Sequence, residues 1–142
     1  MTNTFRGFAT LNVFAGGDNG EHDAAKRWYA ELFGVEPYFE RPGYAEFRVG
    51  DRQAEFGIVD SRYAPHQTGS PAGAFMYWHV DDLEGTLERL LAAGAAALQP
   101  ITERGPGFVT AAVTDPFGNI VAIMHNRHYL EMLAAPAGSE HA

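Results

Sequence analysis

The chain has 142 residues, a formal net charge of −8, no cysteine, and 46% apolar residues. That length suits one domain or two small fused units with a real core. Lack of cysteine excludes disulfides, thiolate metal sites and cysteine nucleophiles, and the acidic balance excludes a phosphate-backbone binder, which needs clustered Lys and Arg. No apolar run approaches the roughly 18 to 20 residues of a membrane span, so the expectation is a cytoplasmic protein with neither nucleic-acid nor membrane partners.

Taken in order, Phe8 to Phe14 alternates as a strand, with Ala9, Leu11 and Val13 on one face and Phe8, Thr10 and Asn12 on the other. The loop Gly16-Gly17-Asp18-Asn19-Gly20 fits neither G-x-G-x-x-G nor the Walker pattern and reads as a turn-rich connector. A helix follows, with Ala25, Trp28, Tyr29, Leu32 and Phe33 on one stripe and Gly34 closing it. Three short strands come next, Pro37 to Glu40, Tyr44 to Val49 and Gln53 to Val59, with turns at Arg41-Pro42-Gly43 and Gly50-Asp51.

The plan then repeats. Phe75 to Val80 is a bulky, aromatic strand that places Met76, Trp78 and Val80 toward a helix and Phe75, Tyr77 and His79 the other way. That helix carries Leu83, Leu87, Leu90 and Leu91 on one stripe, takes Asp81 as N-cap with Glu84 in a capping box, and stops at Gly94. Ala95 to Leu98, Phe108 to Thr114 and Ile120 to His125 are the second set of strands, and Asp115-Pro116-Phe117-Gly118 is a type I turn between the last two. Thr102 to Gly107 reads as a mobile loop, and His128 to Ala135 as a short helix before a frayed tail. The expected organisation is a first strand-helix-three-strand (βαβββ) module over residues 1–60, a linker over 61–73, a second module over 74–126, and the short helix and tail over 127–142.

This doubled unit resembles the vicinal oxygen chelate superfamily, the glyoxalase, bleomycin-resistance and extradiol dioxygenase group. The resemblance is most specific at Trp78-His79-Val80-Asp81-Asp82-Leu83, at Phe33-Gly34, and at Asp115-Pro116-Phe117-Gly118-Asn119. It implies an α+β fold in which the two modules pair into a curved mixed sheet around a pocket, as a homodimer, with the whole forming one domain. It also implies metal-ligand positions on the first and last strand of each module. Carried onto this chain these fall on Phe8, Phe75, Ala122 and Glu55, of which only Glu55 offers a donor. One oxygen in four holds neither a hard divalent ion nor zinc.

The expectation is therefore a metal-free protein with no cofactor, binding or sequestering an aromatic or cationic small molecule. Phe8, Thr10, Asn12, Phe75, Tyr77, Ala122 and Met124 would line the ligand site, with Glu55 and His79 orienting the ligand. The alternative is a lyase, isomerase or oxygenase in which Glu55 is the general base and His79 assists, with a divalent metal held by an unexpected set. His125 and His128 have H-x-x-H spacing but straddle a strand end and read as surface histidines. Ser61, Ser70 and Ser139 lack an elbow motif, which disfavours nucleophilic hydrolysis.

Overall fold

The computed structural model describes residues 4–16 and 19–135. Gly17 and Asp18 of the expected connector, and the tail beyond Ala135, lie outside the described residues. The chain divides into two compact units, Met1–Pro71 with Phe117–Asn119, and Ala72–Pro116 with Ile120–Ala142. Among the described residues no helix is long and apolar enough to cross a membrane.

The first unit contains β1 (Thr10–Phe14), α1 (Glu21–Phe33), β2 (Phe39–Arg41), β3 (Tyr44–Val49) and β4 (Ala54–Val59). Its sheet order is β1-β4-β3-β2, with β1 parallel to β4 and the other pairs antiparallel. Alternation explains its two faces, because Ala45, Phe47 and Val49 on β3 and Phe56 and Ile58 on β4 are buried with Val13 of β1. The aromatic stripe of α1 packs there, with the Tyr29 and Phe33 rings each 5.0 Å from the Phe56 ring and Phe33 5.7 Å from Phe47. Gly34 ends α1 at φ 71°, a left-handed position natural to glycine, and its N–H donates to Ala30 O.

A segment distant in sequence completes this unit. Asn119 presents its side-chain amide to the outer edge of β1, where Oδ1 accepts from Phe14 N at 3.2 Å and Nδ2 donates to Phe14 O at 2.9 Å. It thus pairs with the strand backbone as another strand would, and Phe117 sets its ring edge-on to Trp28 at 6.4 Å.

The second unit contains β5 (Tyr77–His79), α2 (Leu83–Ala92), β6 (Ala96–Gly105), β7 (Phe108–Thr114), β8 (Ile120–Asn126) and α3 (Arg127–Ala134). Its sheet order, β5-β8-β7-β6, repeats the first, again with one parallel pair, β5 with β8. Among the described residues the fold is thus α+β, with two four-stranded mixed sheets and three α-helices. Here α2 packs on β7 and β8, burying Leu90 in the same unit as Ala111, Val113, Val121 and Ile123.

Several local expectations change. The segment Thr102 to Gly107 is not a loop, since β6 runs to Gly105 and only Pro106 and Gly107 form the turn. As an edge strand exposed along most of its length, β6 carries no apolar alternation, and its Pro100 and three register shifts against β7 are tolerated because one edge has no partner to satisfy. The cap of α2 is Asp82 rather than Asp81, its Oδ1 accepting from Gly85 N at 3.0 Å. The β5 ladder continues through Val80 N, which donates to Met124 O, so the helix begins one residue later. The capping-box position then falls on Gly85, where a Cβ would collide with the Asp82 carboxylate. β2 is likewise displaced to Phe39–Arg41, and α3 starts at Arg127 rather than His128.

Candidate functional site

On the face of the first sheet opposite α1, side chains stand in rows across the strands. Thr10 of β1, Glu55 of β4 and Arg48 of β3 are register partners, and so are Asn12, Gly57 and Glu46. The alternation that buries Ala45, Phe47 and Val49 necessarily turns Tyr44, Glu46 and Arg48 to this face. A connected polar network results. Thr10 Oγ1 donates to Glu55 Oε1 at 2.7 Å, Arg48 Nε donates to Glu46 Oε2 at 2.9 Å, and Tyr44 OH donates to Glu46 Oε1 at 2.9 Å. Arg48 Nη2 lies 3.7 Å from Glu55 Oε2, and the guanidinium sits 4.1 Å from the centre of the Tyr38 ring.

The two carboxylates differ in role. Glu46 has a side chain only 12% exposed and each of its oxygens is engaged, so it holds Arg48 and Tyr44 in place. The Glu55 side chain is 41% exposed, oriented by Thr10, and only loosely approached by Arg48. One guanidinium faces two carboxylates, which leaves acceptor capacity and negative charge at Glu55. Burial, with the hydrogen bond to Glu46 second, pushes the Tyr44 hydroxyl up to about 12, so it stays a donor at neutral pH. The hydrogen bond that Arg48 donates to Glu46 likewise raises the guanidinium above its ordinary value. Gly57 leaves the space that Asn12 Oδ1 and the Tyr44 ring occupy, for a Cβ there would meet both.

Thr10, Asn12 and Glu55 are thus brought together as the strand register requires. The aromatic residue expected with them, Phe8, precedes β1 and is fully exposed. In the second unit Tyr77 stands opposite Ala122 on the β5–β8 ladder, and exposed Phe75 places its ring 5.3 Å from Tyr77. Ala122 is buried, while Met124 Sδ accepts from Asn126 Nδ2 at 3.4 Å. The His79 side chain is 7% exposed, with Nδ1 accepting from Asn126 N at 3.1 Å and Nε2 3.4 Å from Asp81 Oδ1. The ring also stacks on Tyr129 of α3, 5.0 Å between centroids.

Sequence reasoning missed Tyr38, Tyr44, Glu46 and Arg48. The signal for three of them was present, since Tyr44-Ala45-Glu46-Phe47-Arg48-Val49 alternates without exception. Only the register shows that Arg48 falls between the two glutamates.

The metal implied by the family resemblance does not fit the donors here. Phe8, Phe75 and Ala122 bring no ligand atom, which leaves Glu55 as the one donor of the implied set, too few for a hard divalent ion or zinc. Among the described residues no group of three or more His, Asp or Glu side chains is placed to hold a metal ion. A separate cleft of about 380 Å³ runs along the exposed side of α1, lined by residues including Asp23, Lys26, Arg27 and Glu40. Its Lys26 is occupied by Asp23 at 3.1 Å and Glu40 at 3.0 Å.

A family model described as the Glyoxalase/Bleomycin resistance protein/Dioxygenase superfamily matches residues 19–123. The "Putative glyoxylase CFP32" of Mycobacterium tuberculosis (strain CDC 1551 / Oshkosh) is 27% identical over 124 residues, covering 84% of this chain and 47% of that protein. Its counterpart in Mycobacterium bovis matches equally, so the chain spans about half the length of these curated relatives. Among solved structures, a glyoxalase-related enzyme from Fulvimarina pelagi superposes with a TM-score of 0.65 at 23% identity, covering 85% of this chain and 88% of its own. A superfamily member from Sphaerobacter thermophilus DSM 20745 gives a TM-score of 0.65 at 15% identity, covering 82% and 94% respectively. Those two likenesses are likenesses of fold.

Proposed function

Since the chain belongs to the glyoxalase/bleomycin resistance protein/dioxygenase superfamily, its model match spanning residues 19–123, we propose that it is a metal-independent small-molecule-binding protein whose ligand is an aromatic or cationic compound held at Glu55. The observation that carries this reading is the state of Glu55, a carboxylate oriented by Thr10 yet 41% exposed, on a face where two carboxylates share one guanidinium. Such a group is preorganised to accept from an ammonium or amidinium nitrogen, at little cost in side-chain ordering. Asn12, its neighbour on the same face, supplies a second acceptor, and the Tyr38 and Tyr44 rings supply flat apolar area. The formal charge of −8 raises the local concentration of a cation around the protein. A homodimer, as the resemblance implies, and a cytoplasmic location, as expected from the composition, belong to the same proposal.

The test is calorimetric titration with a panel of aromatic amines and amidines, each beside its uncharged isostere. A cationic member of the panel should bind, and Glu55→Gln should weaken it by about 10- to 100-fold, the worth of one charge-assisted hydrogen bond, without loss of thermal stability. Absence of binding throughout the panel, or equal affinity in the variant, would overturn the reading.

A further inference from the structure

We propose that His79 is a pH-operated latch: protonation of its imidazole removes the acceptor that holds the start of α3 and loosens that helix from the second sheet. Val80 N donates to Met124 O, the last such bond of the β5–β8 ladder, and Asn126 N then donates to the ring nitrogen Nδ1 of His79 at 3.1 Å. An imidazole that accepts at Nδ1 carries its proton on Nε2, and here Nε2 faces Asp81 Oδ1 at 3.4 Å. The hydrogen-bond network therefore specifies the neutral ring and one tautomer of it. Imidazolium has two N–H donors and no acceptor, so neither ring orientation can receive the Asn126 N–H.

Asn126 is also the N-cap of α3, its Oδ1 accepting from Tyr129 N at 2.9 Å. A helix of eight residues does not persist alone in water and depends on its tertiary attachments. Contacts that tie its first turn to the sheet include the His79 bond to Asn126 N, the stacking of Tyr129 on His79, the bond from Arg127 N to Gly107 O, and the Arg127 guanidinium over the Phe108 ring. His79 makes two of these, to the cap residue itself and to the ring three residues on.

The charged and titratable groups around the ring do not restore the lost acceptor. Asp81, from the connection to α2, has a side chain 96% exposed and meets Nε2, which is a donor in both states. His125, from β8, has its ring 5.4 Å away and offers no acceptor to the Asn126 N–H. Tyr129, from α3, tolerates a cation on its face. Arg127 directs its guanidinium to the Phe108 ring at 5.6 Å.

Amide hydrogen exchange on the full chain at about pH 7.5 and about pH 5, corrected for the intrinsic rate, tests the latch across the range in which histidines change charge. The amides of Leu130 to Leu133 in α3 should lose at least about tenfold in protection at the lower pH while those of Ala111 to Val113 in β7 hold, and His79→Gln should abolish the difference. Equal protection at the two pH values, or an unchanged pH dependence in the variant, overturns the proposal. On the unmodified chain, the ring ¹⁵N shifts of His79 must report Nδ1 gaining its proton in the same step. Protonation of Nδ1 without a change in α3 overturns it equally.

Discussion

Gly57→Ala probes how tightly the polar face of the first sheet is built. A Cβ at this position would stand 2.8 Å from Cε1 and 3.1 Å from the hydroxyl of Tyr44, and directly against Asn12 Oδ1. Asn12 is exposed and can rotate away. Tyr44 is half-buried and bonded to Glu46, and to reach an ordinary carbon–carbon separation its ring must retreat by roughly 0.7 Å. Overpacking of this kind costs about 1–3 kcal/mol. Partial loss of a hydrogen bond to a charged acceptor adds part of a further ~1.5–3 kcal/mol. The smaller conformational freedom of alanine in the unfolded chain returns about 0.4–1 kcal/mol. A net loss of about 1–3 kcal/mol follows, or about 3–10 °C in Tm for a chain of this size. Urea unfolding followed by the fluorescence of Trp28 and Trp78 would measure it, in the parent chain and in a Tyr44→Ala background. With the ring removed, Gly57→Ala should be close to neutral, giving a coupling of at least about 1 kcal/mol. An equal cost in both backgrounds, or no cost in either, would refute the claim that the glycine exists to admit Tyr44.

Two further outcomes follow from the same structure. Asp82→Ala should cost about 1 kcal/mol by uncapping α2, while Asp81→Ala should leave the cap intact; helix-2 amide exchange distinguishes them, and the reverse pattern would restore Asp81 as the cap. The Tyr44 hydroxyl is pushed up to about 12 in the folded chain against about 10 when unfolded, so the folded state holds its proton more tightly. The corresponding stability is complete below about pH 10 and is lost as pH rises toward about 12, so the urea midpoint should fall more steeply there in the parent than in Tyr44→Phe. Parallel curves would contradict the raised value.

The repeated order of strand, helix and three strands was legible because each element has one buried face. The leucine stripe closed by Gly94, at φ 105° in the structure, and the alternation of Tyr44 to Val49 are records of that burial. β6 was half hidden because an exposed edge strand leaves no such record. The capping residue was ambiguous between Asp81 and Asp82 because both can accept from a first-turn amide. The choice came from the ladder bond of Val80, which extends the strand by one residue.

At the candidate site the division is sharper. Sequence alone determined that Thr10 and Asn12 share the face opposite Leu11 and Val13, and that the Phe8, Phe75 and Ala122 side chains carry no metal-ligand atom, because facing and donor chemistry are properties of a residue and its neighbours in the chain; Glu55 came from the family resemblance. Tertiary structure alone decided that Arg48 stands between Glu46 and Glu55, that the Asn119 amide completes the edge of β1, and that His79 is occupied by Asn126, Asp81 and Tyr129. Each of those is a meeting of segments set by strand register or by the path of a turn, and a displacement of one residue, invisible in composition or period, would have sent the same side chains to other partners.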